Sequence, residues 1–143
     1  MSESNYTLLI IDDDDFILTN LELAFANTPY RVITSNNPFK AYQLVENQKI
    51  DIVICDIVMP GLDGLTLLEK IKDFNGMIQV IMLTGEITVN NTIKAFRKGA
   101  VDIFFKPLEN MEEIRKAVAS AARRLERVNT ILKRVATKDK MVP

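Results

Sequence analysis

Short apolar runs alternate along the chain with segments in which apolar residues recur every three or four positions. The apolar runs predict five β-strands, at Tyr6–Ile11, at Tyr30–Thr34, in the run that ends at Asp56, at Ile78–Leu83 and at Val101–Phe105. The other segments have the period of an α-helix that is buried on one face. Because strands that alternate with helices are joined by right-handed crossovers, we predict a parallel sheet with helices on both faces, in a strand order that this pattern leaves open.

Local signals mark where several of these helices begin and end. Asn37, which precedes a proline, is predicted to be an N-cap. Thr88 is expected to cap the fourth helix, and Gly99 stands where that helix needs a left-handed residue to end. The apolar residues of this fourth helix are Val89, Ile93 and Phe96.

Composition narrows the chemistry that such a fold can perform. The chain has one cysteine, Cys55, and no histidine, which excludes an intramolecular disulfide and argues against a zinc site or a Ser-His-Asp hydrolase. The sequence shows neither a basic leader region nor an apolar run long enough to span a membrane. We therefore expect a cytoplasmic protein without a membrane partner, whose 143 residues suffice for one domain with a full core.

Polar side chains stand at the carboxyl ends of four predicted strands. They are Asp12 and Asp13 after the first strand, Asp56 after the third, Thr84 after the fourth and Lys106 after the fifth. Since these ends share one edge of a parallel sheet, the side chains are expected to surround one crevice. Each has a plainer alternative, as a charge that begins a helix, as a turn residue or as a surface lysine. Clustered carboxylates without histidine favour a hard cation such as Mg²⁺ or Mn²⁺, and would repel one another without it.

Four motifs carry these residues: Leu8–Asp13, Cys55–Gly64, Leu83–Gly85 and Phe105–Pro107. Together, over roughly residues 5–120, they resemble the receiver domain of two-component response regulators. The resemblance implies an α/β fold, a doubly wound, flavodoxin-like five-stranded parallel sheet in the order 2-1-3-4-5 with helices on both faces. In this chain an extended C-terminal helix is expected to follow.

The resemblance also implies a role for the crevice. Asp56 is expected to accept a phosphoryl group from a phosphohistidine of a sensor histidine kinase or a histidine phosphotransfer protein. Mg²⁺ is expected to bind directly to Asp13 and Asp56 and largely through water to Asp12. The backbone carbonyl of Val58 is expected to be a further ligand. The chain is then a phosphorylation-controlled switch that catalyses only its own phosphoryl uptake and loss.

The remaining residues of the motifs are expected to hold and sense the phosphoryl group. The resemblance implies that Thr84 donates a hydrogen bond to one phosphoryl oxygen and that Lys106 pairs with another, next to a cis Lys106–Pro107 peptide. Receivers often carry an aromatic ring three residues before this lysine, where this chain has Ile103. Switching is therefore expected to depend on the loop after the fourth strand and on Phe104 or other packing.

Two classes of protein compete with this interpretation. An aspartyl-phosphate hydrolase would also place a nucleophilic carboxylate at a strand end, but it would need an acid-base carboxylate two residues after Asp56, where Val58 stands. The phosphate-binding loop of NTPases has no counterpart in the sequence. A DNA-binding regulator would need an effector domain, for which the residues after position 120 are too few.

An apolar heptad pattern continues towards the end of the chain. Its positions are Met111, Ile114, Val118, Ala121, Leu125, Val128, Leu132 and Val135. We predict a helix from Glu109 to Ala136 that packs on the domain up to about Val118, with nothing in the domain to cover Leu125 and the later positions. The uncovered part is expected to form a parallel coiled-coil homodimer or to contact an output partner.

Charge is distributed unevenly between the body and the end of the chain. Residues 1–108 carry 14 acidic and 9 basic side chains, whereas residues 109–143 carry 5 acidic and 9 basic ones. No helix-turn-helix or aromatic platform accompanies the basic residues, so direct binding of nucleic acid is not expected. We divide the chain into a receiver domain, 1–120, and a helical extension or linker, 121–143.

Overall fold

The apolar runs form five strands that lie side by side in one sheet. The computed structural model describes residues 6–86 and 88–141. The strands are β1 (Thr7–Ile11), β2 (Arg31–Ser35), β3 (Ile52–Asp56), β4 (Gln79–Thr84) and β5 (Ala100–Phe105). The helices are α1 (Asp15–Ala24), α2 (Pro38–Asn47), α3 (Gly64–Phe74), α4 (Val89–Arg97) and α5 (Met111–Met141). All neighbouring strands are parallel in the order β2-β1-β3-β4-β5, which confirms the predicted fold.

Helix ends follow from short-range hydrogen bonds. The side chain of Asn37 accepts hydrogen bonds from two backbone N–H groups of α2, and that of Thr88 accepts one from the backbone N–H of Asn91 at 3.0 Å. Asp63 caps α3 in the same way. Gly99 follows α4 with a φ of 107°, a conformation that costs little without a side chain. The predicted caps at Asn37 and Thr88 are therefore confirmed.

Two apolar layers cover the two faces of the sheet. One layer packs the sheet against α2, α3 and α4, and the other packs it against α1 and α5. All five residues of β3 are buried because β3 is the central strand. Its carboxyl end therefore opens between the two layers, at the edge of the sheet that we call the carboxyl edge; the opposite edge is the amino edge.

Helix α4 carries its apolar residues outward. Val89, Ile93 and Phe96 are 77%, 44% and 48% exposed, and Ala95 is the residue that α4 buries fully. The apolar period of α4 therefore marks an exposed surface, although such a period usually marks the side that faces the core.

Helix α5 begins two residues later and ends five residues later than predicted, at Met111 and Met141. Its packing on the sheet extends to Leu125, which is only 6% exposed, so the prediction that nothing in the domain covers Leu125 is wrong. Only from Ile131 onward are all described side chains of α5 exposed. Among the described residues, no helix combines the length and the apolar character needed to cross a membrane.

Candidate acidic site at the carboxyl edge

Four strands deliver polar side chains to the carboxyl edge. Asp12 follows β1 and Asp56 ends β3, and these two residues are 0% and 3% exposed. Thr84 ends β4, and the backbone N–H of Lys106, directly after β5, donates a hydrogen bond to its carbonyl at 2.8 Å. Since the strands are parallel, their carboxyl ends meet at this edge, and the crevice expected from the sequence is present.

Three carboxylates form the acidic part of the crevice. One oxygen from each of Asp12, Asp13 and Asp56 lies within 4.8 Å of the others. Asp12 and Asp56 are buried, whereas Asp13 is exposed. The backbone N–H of Asp14 donates a hydrogen bond to one oxygen of Asp12 at 2.9 Å, which fixes the turn after β1. The cluster therefore faces solvent on the Asp13 side.

Lys106 lies between the two buried carboxylates. Its Nζ is 3.1 Å from Oδ2 of Asp56 and 2.8 Å from Oδ2 of Asp12. Burial alone would lower the pKa of Lys106, but its contacts with the negative charges of Asp12 and Asp56 outweigh burial and raise it. Lys106 therefore stays protonated and supplies one positive charge against two buried acids. The pairing of Lys106 with Asp12 was not expected from the sequence.

Asp56 is held in an environment that disfavours its charge. Burial raises the pKa of Asp56 to about 6, and the negative charge of Asp12 adds to this effect. The contact with Lys106 and a 3.3 Å hydrogen bond from the backbone N–H of Val58 act in the opposite direction without cancelling it. An additional positive charge at this position would stabilise the carboxylate.

The donor set fits a hard divalent cation. Oδ2 of Asp12 is buried and accepts no well-oriented hydrogen bond from the described residues, since its short contact with Lys106 is an ion pair without hydrogen-bond geometry. An acceptor of this kind, beside two further carboxylates and no histidine, suits a cation that prefers oxygen ligands. The proposed role of the Val58 carbonyl stays a prediction.

Thr84 lies at the carboxyl edge as predicted, but its hydroxyl is hydrogen-bonded to the backbone of Glu86. Oγ1 of Thr84 accepts a hydrogen bond from the backbone N–H of Glu86 at 2.9 Å and donates one to the carbonyl of Glu86 at 3.2 Å. The nearest heavy atom to a Cβ placed on Gly85 would be Cδ of Lys106, at 4.0 Å, so the crevice is open on that side. The hydroxyl of Thr84 would have to leave the carbonyl of Glu86 to donate to an anion in the crevice.

Gly64 packs directly against the backbone of Asp56, a contact that the sequence analysis missed. A Cβ on Gly64 would overlap the carbonyl oxygen of Asp56, and the backbone N–H of Gly64 donates a hydrogen bond to the carbonyl of Ile57 at 2.6 Å. The first residue of α3 therefore lies directly against the end of β3. The sequence signal was Gly64 at the end of the Cys55–Gly64 motif, to which the sequence analysis gave no separate role.

An apolar groove of about 410 Å³ adjoins the crevice. Its lining residues come from the start of α1 and the residue before it, and from the segment that runs from the end of β5 to the first residue of α5: Asp14, Phe16, Ile17, Asn20, Lys106, Pro107, Leu108 and Met111. Phe16 is 73% exposed beside it. Lys106 belongs to both the groove and the crevice, so a molecule bound in the groove would lie next to Asp56.

The backbone next to Lys106 has the conformation that the family resemblance implies. The Lys106–Pro107 peptide is cis. Ile103 is half-buried against the layer of α2, α3 and α4, whereas Phe104 packs into the opposite layer. The two residues therefore contact different sides of the sheet, and Phe104 lies on the side of α1 and α5.

Known sequences resemble this chain over most of its length. The sequence profile of the response regulator receiver domain matches residues 8–119. Transcriptional regulatory protein ZraR of Klebsiella oxytoca is 36% identical over 109 residues, which are 76% of this chain and 25% of that protein. Regulatory protein VanR of Enterococcus faecium is 34% identical over 116 residues, which are 81% of this chain and 50% of that protein. The chain thus spans about a quarter of the length of ZraR.

Solved structures resemble the fold. A response regulator receiver domain protein from Clostridium thermocellum has 30% sequence identity and a TM-score of 0.79, with 86% of this chain and 98% of that chain covered. A CheY-like receiver domain protein from Methanospirillum hungatei JF-1 has a TM-score of 0.81 at 24% identity, with 85% and 97% covered. With the profile match and the site geometry, these similarities establish that the chain belongs to the response regulator receiver family.

Proposed function

We propose that Asp56 receives a phosphoryl group from a phosphohistidine of a sensor histidine kinase or a histidine phosphotransfer protein. An oxygen of Asp56 would bond to phosphorus while the phosphorus–nitrogen bond breaks and the imidazole leaves with the electron pair. The observation that carries this proposal is the joint position of Asp56, Lys106 and two further carboxylates in one crevice. Phosphoryl uptake by a receiver is the function that the family membership supports.

The other residues of the crevice have distinct proposed tasks. Lys106 would move from Asp56 to a phosphoryl oxygen and balance the added negative charge, which is the main requirement of phosphoryl transfer. Thr84 would donate its hydroxyl proton to a second oxygen after giving up the carbonyl of Glu86. Asp12, Asp13, Asp56 and the carbonyl of Val58 would hold Mg²⁺, which would supply the remaining positive charge.

The histidine-bearing partner would bind in the apolar groove beside the crevice. Phe16 and Ile17 of α1 lie on one side of this groove and Pro107 and Leu108 on the other, and Lys106 joins it to the crevice. An apolar side of a partner helix would cover Phe16, which is otherwise left in water. A docked helix would then present its histidine close to Asp56.

The output would be read at α4. The hydroxyl of Thr84 is bonded to Glu86, which precedes α4 in the chain, so movement of Thr84 towards a phosphoryl group would release one bond to the loop between β4 and α4. The outward apolar side of α4, formed by Val89, Ile93 and Phe96, is a surface whose position could change with that loop. The receiver would thus act as a switch on an output domain or partner protein, without acting on an outside metabolite.

The test is the intact mass of the purified chain after incubation with a small phosphodonor, with Mg²⁺ and with EDTA. We expect a gain of one phosphoryl group that needs Mg²⁺ and that is absent in Asp56→Asn. Lys106→Met is expected to slow the gain while Asp56 remains its site. Phosphoryl uptake by Asp56→Asn, or no uptake by the wild-type chain under any condition, would contradict the proposal.

A further inference from the structure

The loop between β3 and α3, residues 57–63, is held in its middle by side-chain packing. Its first residue, Ile57, donates its backbone N–H to the neighbouring strand β4 at 3.0 Å. Further along, the backbone N–H and carbonyl groups of Met59, Gly61 and Leu62 form no hydrogen bond within the described part of the chain. Met59 is buried and Leu62 is half-buried in the layer of α2, α3 and α4. The conformation of the loop therefore depends on the side chains that lie against it.

The ring of Phe39 lies directly against Gly61, in this stretch without backbone hydrogen bonds. A Cβ placed on Gly61 would be 3.2 Å from Cε2 of Phe39 and 3.9 Å from its Cζ. Gly61 also has a φ of 91°, a conformation that strains any residue with a side chain. Both the backbone conformation and the nearby ring therefore favour glycine at this point of the loop.

Phe39 contacts the loop from a fixed position. It is the second residue of α2, and its backbone N–H donates a hydrogen bond at 2.9 Å to the side chain of Asn37, the N-cap of that helix. Pro38 and Ala41, on either side of Phe39 in the chain, are buried. Phe39 itself is 57% exposed, so part of its ring contacts the loop while the rest faces water. Burial in the core therefore does not account for a phenylalanine at this position.

The same loop carries the peptide groups of Val58 beside Asp56. The backbone N–H of Val58 donates to Oδ1 of Asp56 at 3.3 Å. The carbonyl of Val58, which is the proposed metal ligand, accepts no hydrogen bond from the described residues. Val58 is 48% exposed, so its side chain is not anchored in the core. Since Val58 comes three residues before Gly61, its position depends on how firmly the loop is held at Gly61.

We propose that Phe39 is a positioning residue for the divalent cation of the acidic crevice. Together with the buried Met59, its ring holds the loop so that the carbonyl of Val58 is available to the cation. The inference rests on the proposed metal site, and specifically on the role of the Val58 carbonyl. Without the ring the loop has more conformations, and the cation must order the loop when it binds. We expect the affinity to fall by about three- to tenfold, because the carboxylates stay in place.

Binding of Mn²⁺ without any phosphodonor tests this role directly, with electron paramagnetic resonance to measure the free ion. Phe39→Ala is expected to bind Mn²⁺ about three- to tenfold more weakly than wild type. Phe39→Leu stays apolar but has no atoms in place of Cε2 and Cζ, so we expect it to lose affinity as Phe39→Ala does. Phe39→Tyr keeps Cε2 and is expected to stay within about twofold of wild type.

Two further variants serve as controls. Phe74 is 49% exposed, much like Phe39, but it is the last residue of α3 and its ring contacts Tyr42. Phe74→Ala is expected to keep the Mn²⁺ affinity within about twofold of wild type. Asp13→Asn removes a carboxylate of the crevice and is expected to lose at least about tenfold, which locates the bound ion. Circular dichroism checks that all variants are folded.

The Mg²⁺ dependence of phosphoryl uptake from a small phosphodonor separates positioning of the cation from docking of a partner. Phe39→Ala is expected to need about three- to tenfold more Mg²⁺ for half-maximal uptake, with a rate at saturating Mg²⁺ within about twofold of wild type. If the wild-type chain binds Mn²⁺ but takes up no phosphoryl group, the proposed function fails, and the Mn²⁺ affinities still decide the role of Phe39.

Several results would overturn the role of Phe39. They are wild-type Mn²⁺ affinity in Phe39→Ala or Phe39→Leu, an equal loss in Phe74→Ala, and no binding of Mn²⁺ by the wild-type chain. A defect of Phe39→Ala that appears only when a phosphohistidine-bearing protein is the donor would make Phe39 a docking contact, and overturns the proposal as well.

Discussion

Strand β3 is bracketed by two buried aspartates with different partners. Asp51, at the amino edge, is 9% exposed, and its Oδ2 accepts a hydrogen bond from the backbone N–H of Thr7 at 2.9 Å. Asp56, at the carboxyl edge, is 3% exposed and faces Lys106 and two further carboxylates. Asp51 ties two neighbouring strands together, whereas Asp56 pairs with a lysine, the arrangement on which its proposed role rests. Burial alone therefore does not distinguish the two carboxylates, whereas their partners do.

Replacing each aspartate by asparagine should separate these roles most strongly. Asp56→Asn is expected to reduce phosphoryl uptake at least about 100-fold, because the proposed nucleophilic oxygen is lost. Asp51→Asn keeps an oxygen that can accept the hydrogen bond from Thr7, so its uptake is expected to stay within about threefold of wild type. Phosphoryl incorporation measured by intact mass checks both variants. A comparable loss in Asp51→Asn would remove the distinction between the two edges.

Aspartate substitutions at two leucines of α5 compare a buried position near the amino edge with an exposed position close to the end of the helix. Leu125→Asp places a charge in a buried apolar position and is expected to lower the free energy of unfolding by about 3–5 kcal/mol. Leu132→Asp changes an exposed position and is expected to alter it by at most about 0.5 kcal/mol in dilute protein. Urea denaturation at low protein concentration measures both. Equal effects would mean that the domain ends before Leu125.

Alanine substitutions at two glycines near the carboxyl edge should also lower the stability to different extents. Gly64→Ala forces a Cβ against the carbonyl oxygen of Asp56, a backbone atom, and is expected to cost about 2–4 kcal/mol of stability. Gly85→Ala has its nearest neighbour at 4.0 Å and is expected to cost no more than about 1 kcal/mol. Thermal denaturation of the two variants compares them. A harmless Gly64→Ala would show that α3 does not support the end of β3 as described.

The smallest expected effect is a dependence of stability on pH. The pKa of Asp56 in the folded chain is raised to about 6, above its unfolded value of 3.8, so the folded state binds this proton more tightly. Stability from this group is present below about pH 4 and is lost as the pH rises through about 6. In EDTA, Asp56→Asn should therefore be more stable than wild type by about 1–3 kcal/mol at pH 8 and by close to nothing at pH 4. Urea denaturation at both pH values measures the difference, and the opposite trend would contradict the assigned cause.

Features that depend on neighbours in sequence were predictable. The caps Asn37 and Thr88 were correct because a cap bonds to N–H groups two or three residues away. The strands were found within one or two residues because their apolar runs are unbroken. The strand order came with the family resemblance, since apolar periodicity alone carries no information on which strands are neighbours. The four strand ends meet because parallel strands share an edge.

Features that depend on distant parts of the chain were not predictable. Leu125 is buried because the sheet and Tyr6 extend far enough along α5 to contact it. A heptad pattern holds no information on that distance. The outward side of α4 has the same period as an inward one, so its exposure is invisible in the sequence. The contact of Lys106 with Asp12 joins residues far apart in the chain. The roles of the site residues in phosphoryl transfer and metal binding stay predictions.

The continuity of α5 from Met111 to Met141 limits how the length of this chain can vary. One residue inserted after Asn129 would turn everything beyond it by about 100° and advance it by about 1.5 Å. The residues of α5 after the insertion would then face a different direction relative to the sheet, while the packing of the residues before Asn129 would be unchanged. Insertions or deletions of seven residues, close to two full turns, would keep the same side in register. Lengths that differ by whole heptads are therefore the ones that this helix can exchange without losing its alignment to the sheet.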